Sequence, residues 1–436
     1  MSSINRVATA NMYDNSIRNI GGRQNSLVDL NEKLTSGKRV LRPSDDPVAA
    51  AQAERAMTRI TRIQSEQRAL DVQRNAVAQA ESSLDDAVNL MQEMRELLVN
   101  AGDGTHSPAD RRIIASQVQS LREQLLNISN RKDTNGLPLL GALGSALEPF
   151  LGTSAPSGFA GLPGQGAGSF VSIPNMLDGD SAFMFQTKRD GVYNAGISSA
   201  AASPLNGRQF NASAVSVADL SAISTDPATG KADTYTVVFK NAGPGASPNT
   251  STATYNIINA RTGASSPDVV VPDFPNDKQL NIEVTGVPGL KFNITATPTK
   301  ALDGTVTLSP ADGDTITLSP SSSIFSVIDQ AIADIGSAGN SNAAVQAVGQ
   351  ALGNLDIGME RLQAVRSYAG ELLNRADRIT GNQDARNIQL EGDRSRAEDM
   401  DLVKGFSDFE QTKMGYQAAL QSYAMVQKLS LFNYIS

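Results

Sequence analysis

The sequence feature that most constrains this chain is an apolar residue repeated every seven positions from residue 49 to residue 98. The repeat consists of Ala49, Ala56, Ile63, Leu70, Val77, Leu84, Met91 and Leu98, with companions three residues on at Ala80, Ala87, Met94 and Ala101. Such a narrow seam is typical of a coiled coil and must be buried against a partner helix. Capping side chains before Pro47 predict where this helix begins, and AGDG at 101–104 predicts its end.

Helical patterns continue on both sides of the chain. Ser107-Pro108-Ala109-Asp110 predicts the capped start of a further helix whose buried face carries Ile114, Val118, Leu121, Leu125 and Ile128. Near the C-terminus one stripe contains Leu362, Val365, Ala369, Leu372, Ala376 and Ile379, and a second contains Leu402, Phe406, Phe409, Tyr416, Leu420 and Tyr423. The two stripes are out of phase, which predicts a change of partner or tilt near Gly392.

The two chain ends carry complementary apolar and charge patterns. Tyr13, Ile20, Leu27, Leu34 and Leu41 form a seam that polar companions at Gln24 and Asn31 weaken. Residues 1–42 have a net charge of +4 and residues 391–436 a net charge of −2. Helices of this kind bury too little to stay ordered alone, so we expect them to pair with each other or with neighbouring subunits.

The middle of the chain has the composition of a β domain. Short β-prone runs lie at 234–240, 253–258, 281–286 and 290–297, and DGTVTLSP at 303–310 is echoed by DGDTITLSP at 312–320. Each copy of this repeat starts with a turn and then alternates, as a hairpin does. The sequence therefore predicts an α+β multidomain protein: a long coiled-coil-like α-helical rod built from both termini, with an inserted all-β domain at 143–320.

Composition excludes several function classes. The formal net charge of −8 at pH 7 argues against nucleic acid as a partner. Cysteine is absent and His106 is the single histidine, so disulfides, thiolate sites and three-histidine metal cages are excluded. No run of apolar residues is long enough to predict membrane insertion, and the N-terminus lacks the apolar stretch of a cleaved secretory signal. We expect neither cofactor nor catalytic site.

Two segments resemble the flagellin superfamily. LNEKLTSGKRVLRPSDDPVAAAQAERA at 30–56 is similar to the family's helix end, SGKR turn, PSDDP loop and Ala-rich helix start. The segments 310–332 and 390–436, with AEDMD, YQAAL and the final LSLFNYI, resemble the branch of the superfamily that joins the flagellar hook to the filament. The resemblance covers residues 1–142 and about 310–436, whereas 129–142 departs from that branch by having Leu-Pro-Leu-Leu in place of an aromatic pair.

The resemblance implies a structural, non-enzymatic protein of the bacterial flagellum. Its domains would be the terminal helices 1–42 and 395–436 for assembly, a rod domain of 43–142 and 321–394, and the outward β domain 143–320. Subunits would form a tubular oligomer between hook-associated protein 1 and flagellin, after export through the flagellar type III apparatus with the help of a chaperone. The hypothetical assembly interface consists of Tyr13, Ile20, Leu27, Leu34, Leu402, Phe406, Phe409, Tyr416, Leu420, Tyr423, Leu431 and Phe432.

Three alternatives remain open at this stage. The chain could be a minor flagellin, which is a filament subunit of the same class. It could be a surface adhesin, since the β insertion would face outward. It could also carry a hydrolase in that insertion, where Asp312 and Asp314 are paired carboxylates, although D-G-D before a strand is ordinary turn chemistry.

Overall fold

Seven α-helices, one short 3-10 helix at Leu220–Ala222 and thirteen strands occur in the part of the chain that the structure describes. The computed structural model describes residues 2–152, 158–199, 208–300 and 306–435, and side-chain surroundings for most of residues 11–427 within those ranges. The helices are α1 Ser2–Ser36, α2 Pro47–Ala101, α3 Pro108–Ser129, α4 Gly179–Phe183, α5 Ile324–Ser337, α6 Ser341–Glu398 and α7 Leu402–Ile435. The strands are β1 Phe150–Leu151, β2 Gly158–Phe159, β3 Tyr193–Ser198, β4 Gln209–Ala212, β5 Ser216–Val217, β6 Tyr235–Pro244, β7 Thr250–Asn259, β8 Val269–Pro275, β9 Leu280–Val284, β10 Leu290–Thr297, β11 Thr299–Lys300, β12 Val306–Thr307 and β13 Thr315–Pro320.

The chain separates into two compact units. The terminal unit contains Met1–Ala69 and Arg378–Ser436, and the central unit contains Leu70–Asp377. The long helices α2 and α6 each contribute residues to both units. The boundaries predicted at 42/43 and 394/395 separate assembly helices from a rod domain. This is a division by function, and it stays a prediction.

The heptad seam on α2 is confirmed residue by residue. Every predicted seam position is buried, and those in the central unit from Leu70 to Leu98 are almost completely so. The α2 start is also confirmed, because Asp46 accepts hydrogen bonds from the backbone N–H groups of Val48 and Ala49. The Ala49 bond holds the pKa of this carboxyl below its ordinary value. The buried face of α3 and its Ser107 capping box are confirmed as well.

In the central unit, α6 runs antiparallel beside α2. Met91 of α2 reaches Gly358 of α6, where a Cβ would come within 3.3 Å of the methionine methyl group. Ion pairs follow the contact: Arg95 pairs with Asp356 at 3.1 Å, and Arg74 pairs with Asp377 at 3.1 Å. Exposed pairs of this kind add little stability, but their positions are compatible with only one register of the helices.

The middle region is a two-sheet β domain. One antiparallel sheet has the order β3-β13-β6-β7-β8, and the other is formed by β4, β10 and β5 with β9 on β10. Their inner faces share one hydrophobic core in which Phe210 of β4 meets Phe239 of β6 edge to face at 5.7 Å. All four predicted β-prone runs are strands, which confirms the inserted all-β domain.

The hairpin expected from the second copy of the sequence repeat is wrong in its pairing. Residues 315–320 form β13, an interior strand of the large sheet that lies between β3 and β6. The short strand β12 in the first copy pairs antiparallel with the preceding strand β11, as in the expected hairpin. The cause is burial: Ile316 and Leu318 belong to the shared core, which an isolated local hairpin could not provide.

A ladder of three amide side chains attaches the β domain to α6. Gln346, Gln350 and Asn354 lie one turn apart on the helix and are buried. Gln346 accepts from Ala212 N–H at 2.8 Å and donates to the Ala195 carbonyl at 3.2 Å. Gln350 accepts from Ala195 N–H at 3.1 Å and donates to the Ala212 carbonyl at 2.9 Å. The side-chain amides of α6 thus hydrogen-bond to the backbone at the edges of β3 and β4, which are one strand from each sheet. They take the place that the backbone of a neighbouring strand would have.

Replacing Gln350 by leucine tests this attachment. Gln350→Leu keeps the volume but leaves the Ala195 N–H and Ala212 carbonyl buried without a partner, and each such group costs about 1–3 kcal/mol. We expect a clearly lower midpoint in calorimetric unfolding of the full chain. Gln330→Leu is the control, because Gln330 is exposed on α5 and bonds only Asp334. Equal midpoints for the two variants would show that the ladder does not anchor the domain.

Candidate assembly surface

The terminal helices α1 and α7 pack antiparallel in the terminal unit. Tyr13 and Tyr423 meet with ring centroids 5.1 Å apart. At the other end of the pair, a Cβ on Gly405 would come within 3.2 Å of Leu34. Of the two pairing arrangements expected from the sequence, the structure therefore contains the one within a single chain.

A polar contact fixes the register of this pair. The Tyr423 hydroxyl donates to the Tyr13 hydroxyl at 2.8 Å, and the Gln427 amide donates to the same oxygen at 2.9 Å. Two donated hydrogen bonds stabilise the phenolate and lower the pKa of Tyr13, whereas donation of its proton raises the pKa of Tyr423. If one helix slid along the other, these hydrogen bonds would be lost. A polar contact within an apolar seam therefore disfavours other registers of the helix pair.

The pair covers only one side of each helix. Among the predicted interface residues, Tyr13, Ile20, Leu27, Leu34, Phe409, Tyr416 and Tyr423 are half-buried, whereas Leu402, Phe406 and Leu420 are exposed. The side chains of Leu431 and Phe432 lie outside the described residues. Further exposed apolar side chains, which sequence reasoning missed, are Met12, Ile17, Val28, Val403, Met414 and Met425. We define the exposed face as all the exposed residues named here.

Exposed apolar side chains on this scale are unusual for the surface of a free subunit. The missed residues lie between the predicted heptad positions. A search for one seven-residue repeat finds the apolar residues on one side of a helix and overlooks those on its other sides. A helix that is apolar on more than one side was the available signal, because it has to be covered by more than one partner.

A break between α6 and α7 replaces the tilt expected near Gly392. Helix α6 continues through Gly392 to Glu398, and Asp401 then caps α7 by accepting from the N–H groups of Val403 and Lys404. The predicted change of stripe is therefore real but lies at 399–401. Competition for backbone N–H groups by the Asp401 side chain ends the helix there, whereas a glycine inside a helix only weakens it.

The SGKR turn is bonded to this break. The Arg39 N–H donates to the Glu398 carbonyl at 2.7 Å, and the Met400 N–H donates to the Gly37 carbonyl at 2.9 Å. Gly37 has a φ of +72°, a left-handed conformation that glycine adopts without strain. The Arg39 guanidinium donates to the Ala397 carbonyl at 2.8 Å and pairs with Asp46 at 3.2 Å.

Arg39→Ala should loosen this joint without unfolding the helices. We expect faster cleavage of the full-length chain by endoproteinase at Asp399 and Asp401, because the side chain that holds the 397 carbonyl is gone. Arg42→Ala is the control, since Arg42 pairs with Glu32 only at the surface. Equal cleavage rates for the two variants would mean that backbone hydrogen bonds alone hold the joint.

The acidic residues that could suggest other chemistry have structural roles. Asp314 is buried and pairs with Arg208 at 2.7 Å, and Asp312 accepts from Ala242 N–H at 2.7 Å. Within the described ranges, no group of three or more His, Cys, Asp or Glu side chains is arranged to hold a metal ion. No described helix is both long and apolar enough to span a membrane.

Comparison with known proteins agrees with this architecture. Residues 7–143 match the family described as bacterial flagellin N-terminal helical region. The crystal structure of the flagellar junction protein FlgL from Legionella pneumophila has the same fold, with a TM-score of 0.54 and 22% identity over 75% of this chain and 99% of that one. The resemblance of this chain to the flagellin superfamily is therefore confirmed.

The curated relatives include both hook-associated proteins and flagellins. Flagellar hook-associated protein 3 of Escherichia coli is 29% identical over 236 residues, which cover 53% of this chain and 70% of the relative. Flagellar hook-associated protein 3 of Salmonella typhimurium is 34% identical over 147 residues, covering 33% of this chain and 46% of the relative. Several homologues and structural neighbours of this chain are thus named hook-associated protein 3 or flagellar junction protein. The flagellin of Clostridium tyrobutyricum is 27% identical over 30% of this chain and 34% of the relative.

Proposed function

We propose that this chain is a structural subunit of the layer that joins the flagellar hook to the filament. The observation that carries the proposal is the exposed face of the α1–α7 pair, which one chain leaves uncovered. An apolar surface of this kind is stable when neighbouring subunits bury it. The similarity to hook-associated protein 3 indicates where in the flagellum such a subunit acts.

The proposed assembly is a tube whose subunits meet through their terminal helices. Hook-associated protein 1 would contact it on the hook side and flagellin on the filament side. A cytoplasmic chaperone would cover the C-terminal helix before export through the flagellar type III apparatus. The described residues serve packing and capping, and we propose no enzymatic activity.

Immunogold labelling of detached flagella tests this location. We expect label confined to the boundary between hook and filament. Label distributed along the filament would identify a minor flagellin instead, and absence of label from flagella would refute both assignments. A chain lacking residues 208–300 of the β domain, labelled through an added epitope, tests whether an adhesin-like surface is needed for the same location.

A further inference from the structure

A short loop in the central unit holds one aromatic side chain entirely in solvent. Phe170 is 99% exposed at the tip of residues 168–173, which we call the Phe170 loop. Single exposed apolar side chains are common on protein surfaces. What distinguishes this one is that the backbone beneath it is fixed from several sides.

The Phe170 loop is closed on itself and tied to both long helices. The Ser169 N–H donates to the Ser172 carbonyl at 3.0 Å, and the two serine hydroxyls are 2.7 Å apart. Arg375 of α6 donates to the Ser169 carbonyl at 2.9 Å, and the Ile173 N–H donates to Gln73 of α2 at 3.0 Å. The ring therefore projects from a preorganised base, which lowers the entropic cost of binding it.

The same stretch of chain also borders a pocket. Immediately after the Phe170 loop, Met176 lines a recess of about 50 Å³ together with Val72 of α2 and Leu137 of the turn that follows α3. Val72 and Leu137 are 56% and 45% exposed, so two apolar side chains of this Val72 pocket are open to solvent, beside polar lining residues such as Gln73 and Asn135. Its volume accommodates the edge of an aromatic ring rather than a large ligand.

Charges beside the two features are complementary. Arg375 lies at the base of the Phe170 loop, and Asp133 lines the Val72 pocket. Among the described residues, Arg375 makes no ion pair with a carboxylate and Asp133 makes none with a cation. A contact that brought loop and pocket together would place these opposite charges near each other.

We propose that Phe170 of one copy of this chain enters the Val72 pocket of a second copy, with Arg375 facing Asp133. The pairing of Arg74 with Asp377 sets Gln73 and Arg375 at the same level of the α2–α6 pair. The loop and the pocket therefore lie at the same level along the α2–α6 pair, and the contact joins two copies side by side. Gln73 holds the loop and also lines the pocket, so the two features adjoin, and two copies can exchange Phe170 reciprocally across a two-fold contact. The inference rests on the proposed function, because it takes a second copy as the partner.

Photo-cross-linking tests the contact directly. Benzoylphenylalanine replaces Phe170 in the full-length chain, and both the purified protein at rising concentration and isolated flagella are irradiated. We expect cross-linked dimers, with mass spectrometry locating the link to peptides containing Val72 or Leu137 of the other copy. The same amino acid at Val270, which is exposed on β8 away from this loop, is the matched control.

Substitution distinguishes this inference from the proposed function. Phe170→Ala should leave the unfolding midpoint of the monomer unchanged, because the side chain buries nothing there, while weakening self-association about tenfold or more. If cross-links reach only other proteins, or none form in either sample, the contact does not exist even if the immunogold label marks the junction. If Val72 cross-links form in purified protein while flagella carry no label, the contact stands and the proposed function falls.

Discussion

Leu84→Ala should lower the free energy of unfolding by about 2–5 kcal/mol. Leu84 lies at the middle of the α2 seam and is completely buried, with Val77 and Met91 one heptad away on either side and equally inaccessible. Truncation removes favourable transfer of the side chain from water and leaves a cavity, since neighbours on a long helix can collapse only partly. Calorimetric unfolding of the full-length monomer measures the effect.

Gln92→Ala provides the comparison on the same helix. Gln92 is exposed and lies on the side of α2 away from the seam, and alanine is the better helix former. We expect little change or slight stabilisation. Similar losses from Leu84→Ala and Gln92→Ala would contradict the assignment of the seam as the core of this helix.

Removing residues 401–436 should abolish filament attachment while leaving a folded monomer. The central unit consists of Leu70–Asp377 and contains no residue of α7, so removal of α7 should leave its core intact. The terminal unit loses the only described helix that covers the seam of α1, and α1 alone buries too little to remain ordered. Calorimetry of the shortened chain and motility of cells expressing it measure the two effects.

A single substitution separates the exposed face from the fold of α7. Phe406 is 60% exposed, so Phe406→Asp should leave the monomer's unfolding unchanged but introduce a charge where neighbours must dock. We expect cells that shed filaments. Gln421→Asp, at an exposed polar position on the same helix, should have no such effect. Normal attachment with Phe406→Asp would exclude the exposed face from assembly.

The helices could be predicted from the sequence because their signals are local and periodic. Each seam residue from Ala49 to Leu98 is buried where a seven-residue repeat places it, and the capping signals at Asp46 and Ser107 are where the helices begin. These features depend on neighbours within a few turns, which the sequence presents directly.

What the sequence could not provide depends on distant partners. The partners of β13 are separated from it by many tens of residues, and nothing local distinguishes a central strand from a hairpin arm. The amide ladder had a weak signal in the spacing of Gln346, Gln350 and Asn354, but polar residues at that spacing usually form a solvated face. The exposed face of α1 and α7 became visible only once their mutual contact showed which sides remain uncovered.

The amide ladder has a consequence for how this protein can diversify. Within the described part of the chain, the hydrogen bonds of Gln346, Gln350 and Asn354 all go to main-chain atoms of β3, β4 and their neighbours. Every amino acid except proline offers both a backbone donor and a carbonyl. The attachment is therefore indifferent to which side chains the two strands carry on their outward faces. Mutations can accumulate across the outer surface of the insertion, including wholesale changes in its loops, without altering how it is fastened to the helix.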